Sequence, residues 1–81
     1  MQTVIPDQIA LGRALLALRE RRGLSRVELA TRLNIEPDFV SANESGQINI
    51  RWQTLMDLLR ALDATISDLA DELPEPPLRD R

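Results

Sequence analysis

The feature that most constrains this chain is the local punctuation of residues 26–46, RVELATRLNIEPDFVSANESG. Leu29 and Leu33 stand four apart beside the small Ala30, giving one apolar face and one position where a second backbone can come close. Asn34 follows, one of the few residues that enters the left-handed conformation at low cost. The first helix is therefore expected to stop there. Ile35 is expected to turn into the core at the corner, Glu36 occupies the N-cap position, and Pro37 suits a first helical position where no amide hydrogen is needed. Val40 and its neighbours carry a second helix to Gly46, a favourable C-terminal stop. Two short helices joined by a tight turn leave few ways to build the rest.

Composition narrows what such a unit can do. Eighty-one residues make one small domain, near the lower size at which a single core suffices. Cys is absent, so neither a disulfide nor a thiolate metal site can reinforce that core. His, Lys and Tyr are missing too, which removes imidazole ligands, Schiff-base amines and the usual general bases. No nucleophile and base pair and no ligand cluster is present, so neither an enzyme nor a cofactor or metal site is expected. The longest apolar run, residues 9–18, is broken by Arg13 and falls short of the ~20 residues of a membrane helix. No secretory signal pattern precedes it, and a cytoplasmic location is expected.

The net charge of −3 disfavours a polyanionic partner at first sight, but it is unevenly spread. Residues 1–35 carry six Arg against three carboxylates, whereas residues 36–81 carry four Arg against ten. Along the chain we expect a lead-in at 1–6, a helical domain at 7–73 and a Pro-rich charged tail at 74–81. Helices are expected at about 7–22, 26–33, 37–45, 52–62 and 66–73. Leu11, Leu15 and Leu18 form the stripe of the first, which Gly23 ends. Gly12 costs that helix ~1 kcal/mol relative to Ala, which predicts close packing against another helix. Ser25 with Glu28 has the spacing of a capping box. Leu55, Leu58, Leu59 and Leu62 face inward from the fourth helix, and Thr65 with Asp68 predicts a weaker cap for the fifth. No segment alternates like a strand, so the fold class is all-α.

The ordered set LRERRGLSRVELATRLNI, Glu44-Ser45-Gly46 and TLMDLLRALDATISDL resembles the Cro/CI or XRE family of bacterial and phage helix-turn-helix regulators over about residues 9–69. The resemblance implies a five-helix lambda-repressor-like DNA-binding domain. It implies that Arg19 of the first helix pairs with Glu44 of the third as a partly buried structural bridge. It also implies that the third helix enters the major groove of double-stranded DNA, placing Pro37, Asp38, Ser41 and Ala42 toward base edges. Pro37 has no donor, Ala42 offers a methyl to thymine, and Asp38 accepts from a cytosine amine but repels phosphate. Ser41 is the versatile one. Arg26, where the family commonly has Gln, is expected as a phosphate clamp, with Gln47, Asn49 and Arg51 adding backbone contacts from the following loop.

Several residues have a plainer reading beside the functional one. The other arginines of the first helix are expected on a solvated face rather than in direct contact with DNA, and Asp38 and Glu36 to offset the helix dipole. Phe39 and Trp52 are expected in the core or against a partner rather than stacked on bases. Asn43 stands where the family usually has an apolar residue, so either the helix rolls or Asn43 finds a backbone partner. Leu16, Val27 and Met56 exceed what a small core buries, which predicts a homodimer seam. Two functions follow from different classes. One is a sequence-specific transcriptional regulator, a dimeric repressor with an antitoxin-like setting as one possibility. The other is a degenerate helix-turn-helix module that binds a protein, as an adaptor or antitoxin, with weak or no DNA binding.

Overall fold

The computed structural model describes residues 8–73. Among them lie five helices: α1 (Gln8–Arg21), α2 (Arg26–Leu33), α3 (Pro37–Ser45), α4 (Trp52–Ala61) and α5 (Ile66–Glu72). The expected lead-in, the start of the first helix at Asp7, and the tail at 74–81 fall outside the described residues. The buried leucines come from every helix but α3, which contributes Val40. Leu15 and Leu18 of α1, Leu29 of α2, Leu55, Leu58 and Leu59 of α4, Leu62 just beyond it, and Leu69 of α5 form one cluster. Each such side chain is worth ~1.5–3 kcal/mol when withdrawn from water, which is how so few residues hold a fold without covalent staples.

Four of the five helices end by one device. Gly23, Asn34, Gly46 and Asp63 all have positive φ, from 54° at Asp63 to 80° at Gly46. After each, the next amide reaches back to a carbonyl five residues before it: Leu24 to Arg19, Ile35 to Ala30, Gln47 to Ala42 and Ala64 to Leu59. These bonds satisfy carbonyls that the helix leaves open, and Leu24, Ile35 and Ala64 then pack on the core. The device explains why α1 and α4 stop a residue before the expected 22 and 62. Arg22 and Leu62 belong to the closing turn rather than to the regular ladder. α5 likewise ends at Glu72 rather than 73, because Leu73 is extended (φ −81°, ψ 149°), as the residue before a proline tends to be.

At the other ends, Ser25 Oγ accepts from the Glu28 amide at 3.0 Å while Glu28 accepts from the Ser25 amide at 2.7 Å. Thr65 and Asp68 repeat the reciprocal pair at 3.0 and 2.9 Å, so the second cap is as complete as the first rather than weaker. The sequence placed Gly12 against a neighbouring helix, and that neighbour is the C-terminal turn of α3. A methyl at position 12 would stand 2.5 Å from the carbonyl oxygens of both Asn43 and Glu44.

Candidate nucleic-acid interface

The inward side of α3 is set by Val40, Asn43 and Glu44, all buried, with the 3,4 spacing of one helical face. Its outward side follows by exclusion: Asp38 and Ser45 are exposed, and Pro37, Ser41 and Ala42 are half-buried. Glu36 takes the N-cap position with extended backbone, but its side chain makes no capping bond. Gln47, Asn49 and Arg51 are exposed in the loop between α3 and α4. The expected base-facing set therefore shares one helix, and the expected loop set lies directly after it.

Behind α3, Glu44 fixes the helix to the scaffold. Arg19 Nε donates to its Oε2 at 2.5 Å and Arg19 Nη2 to its Oε1 at 3.1 Å, a two-point grip with both side chains nearly buried. Arg19 Nη1 reaches the Leu24 carbonyl at 2.8 Å, so one guanidinium ties α1, the turn before α2, and α3 together. The hydrogen bond to Glu44 raises the Arg19 pKa above its ordinary value, which keeps the charge in place despite burial.

Arg26 is less free than a phosphate clamp at a helix start was expected to be. Its Nε donates to Glu44 Oε1 at 3.0 Å, so Glu44 serves two arginines, while the Arg26 side chain stays 51% exposed. Asn43 meets the second of its two expectations in half. Its Nδ2 donates to the Phe39 carbonyl at 2.8 Å, but its buried Oδ1 has no partner among the described residues. Phe39 and Trp52 are 39% and 67% exposed, so neither is a core residue.

Sequence reasoning missed what two other arginines do. Arg22 donates to the Leu62 carbonyl at 2.8 Å and the Asp63 carbonyl at 2.9 Å, and Arg32 to the Ala61 carbonyl at 2.8 Å. Both satisfy the open C-terminal end of α4, where cations are also favoured by the helix dipole. The only local signal for this was the lack of any basic residue after Arg60 in that turn. Arg22 stays exposed, as expected, with these bonds added.

Residues 10–73 match the helix-turn-helix domain family. The chain belongs to that family. It is of the Cro/CI or XRE type that its sequence resembles. Among solved structures, this helix-turn-helix protein is 31% identical to the clp gene regulator ClgR from C. glutamicum, with a TM-score of 0.76 over 80% of this chain and 84% of that one. It is also 31% identical to the restriction-modification controller protein C.AhdI from Aeromonas hydrophila, with a TM-score of 0.71 over 76% of this chain and 94% of the other. A hypothetical transcription factor, NHTF from Neisseria, is 25% identical with a TM-score of 0.70, covering 85% and 84% of the two chains. Comparison with curated protein sequences gives no significant match.

Proposed function

We propose that this helix-turn-helix protein is a sequence-specific, double-stranded DNA-binding transcriptional regulator, a cytoplasmic dimeric repressor that lays α3 in the major groove. The observation that carries the reading is the division of α3: its inner side is gripped through Glu44 by two arginines, and its outer side is left for a partner. The similar solved structures of a gene regulator and a controller protein support it. In this reading Ser41, Ala42, Asp38 and Pro37 face the bases, Arg26 holds a phosphate, and Gln47, Asn49 and Arg51 follow the backbone. Ser25 and Glu28 fix the start of α2, and no cofactor or metal takes part.

The test is a titration of labelled duplex from the protein's own upstream region, at low and then moderate salt. A regulator retains sequence preference while its affinity falls linearly on a log–log plot against salt. Arg26→Ala is expected to weaken all duplexes about equally and to reduce the salt slope by about 1. A changed sequence preference in that variant would contradict a phosphate role.

A second reading rests on the acidity of the same surface. Asp38 and Glu36 are both exposed at the start of α3, where they repel phosphate and suit a basic protein. Absence of binding to any duplex at low salt, the upstream region included, selects this adaptor or antitoxin reading instead.

A further inference from the structure

Most arginines of the described residues are already engaged. Arg19 and Arg26 hold Glu44, Arg21 holds Glu72, Arg60 holds Asp57, and Arg22 and Arg32 cap α4. Arg13 is exposed and has no hydrogen bond or ion pair among the described residues, and Arg51 is its only equal there. Unlike Arg51, Arg13 borders a cleft of about 340 Å³ between α1 and α3, which Arg26 also lines from the start of α2.

Three features give that cleft a chemistry. First, its charge is positive. Glu44 lies in the wall, but Arg19 and Arg26 already neutralise its single charge with one to spare, and Arg13 adds another. Second, its donors are placed. With Nε held by Glu44, the two Nη groups of Arg26 remain as a fork with no partner among the described residues, a geometry suited to two oxygens of one phosphate. The Ser41 hydroxyl lines the same space and is likewise unengaged among the described residues. Third, part of the wall is apolar, from Ile9 and Leu16. A bare inorganic anion has no use for that surface, whereas the carbon edge of a sugar beside a phosphodiester does.

The geometry points to this cleft as a backbone-phosphate site, with Arg13 and the tethered Arg26 as its two cations. It rests on the DNA-binding reading and extends it by giving Arg13, which lies outside the helix-turn-helix unit, a share in the grip. A phosphate held there clamps the duplex from the α1 side and sets the depth at which Ala42 meets base edges, with Ser41 at the border between phosphate and base. Arg26, steered by Glu44, presents its fork already oriented, so less side-chain freedom is lost on binding.

The test compares wild type with Arg13→Gln and Arg13→Lys. Arg13 bonds nothing else among the described residues, so all three are expected to melt alike. On duplex, Arg13→Gln is expected to reduce the log–log salt slope by about 0.9, one phosphate's worth, without altering sequence preference, and Arg13→Lys to keep the slope. A full slope in Arg13→Gln overturns the site while leaving the regulator assignment standing. If wild type binds no duplex at all, the assignment falls and a second arm decides the cleft: a dinucleoside monophosphate titrated into the protein alone, followed by amide shifts at Arg26 and Ser41. Shifts lost in Arg13→Gln then uphold an anion site, and none in wild type removes it.

Discussion

Arg19 is the residue on which the geometry of the reading helix turns. Its guanidinium spends two bonds on Glu44 and one on the Leu24 carbonyl, all in a nearly dry setting. Removing one partner of such a pair leaves a buried charge short of compensation, which typically costs ~3–5 kcal/mol. Small domains have only about 5–15 kcal/mol in total. Arg19→Ala is therefore expected to lower the thermal midpoint steeply, read by circular dichroism, and an unchanged midpoint would show that the pair is idle. Arg26 shares the same carboxylate but is half in water, where an ion pair is worth ~0–1 kcal/mol, so its loss belongs to binding rather than stability. Asn43 shows the reverse economy. An unpaired buried acceptor costs ~1–3 kcal/mol, and the domain tolerates one in the middle of α3.

At the scale of elements, the helix ends carry most of the specification. Glu28 and Asp68 are both held below their ordinary carboxylate pKa, first by the backbone N–H bonds they accept from Ser25 and Thr65. A depressed folded pKa means that the stabilisation is complete above the unfolded value, about 4, and drains away as pH falls through the folded one. The melting temperature is thus expected to drop on acidification below about pH 4. In Glu28→Gln, which keeps the box but cannot titrate, the drop is expected to be shallower, and an identical pH profile would refute the contribution of Glu28. These ends were also the most legible part of the chain. Ser25 with Glu28, Gly23 and Asn34 act through neighbours within five residues, so their chemistry is written locally. Asp63 escaped notice because Asp enters the left-handed region far less often than Gly. Arg22 and Arg32 escaped because their targets lie 40 and 29 residues away, set by packing that no local pattern encodes. The same limit hid the tether on Arg26. The proposed base-facing positions, by contrast, rest on family resemblance plus helical period.

At the scale of the whole molecule, the proposed function needs two surfaces, one for a duplex and one for a second copy. Of the three residues expected at a homodimer seam, Val27 is 60% exposed, whereas Met56 packs against the core and Leu16 is half-buried beside the α1–α3 cleft, so the expectation that all three exceed the core holds for Val27 alone. In the proposed dimer Val27 stands at the seam. Sedimentation equilibrium is expected to give twice the chain mass, with a melting temperature that rises with protein concentration. A monomer at every concentration would leave recognition to a single α3 and remove the two-fold operator from the proposal. Approach to DNA must also be oriented. The chain as a whole is negative, and among the described residues α4 and α5 carry Asp57, Asp68, Asp71 and Glu72, so the proposed duplex approaches from the side of Arg13, Arg26 and Arg51 instead.

One hydrogen atom, at the α-carbon of Gly12, governs how deeply the recognition element is seated. With two carbonyl oxygens of α3 pressed into the space where any other side chain would begin, the first helix acts as a flush backplate. The smallest enlargement there would work like a shim, pushing α3 outward at its C-terminal end and tipping the proposed base-facing side chains out of register, with no contact surface touched.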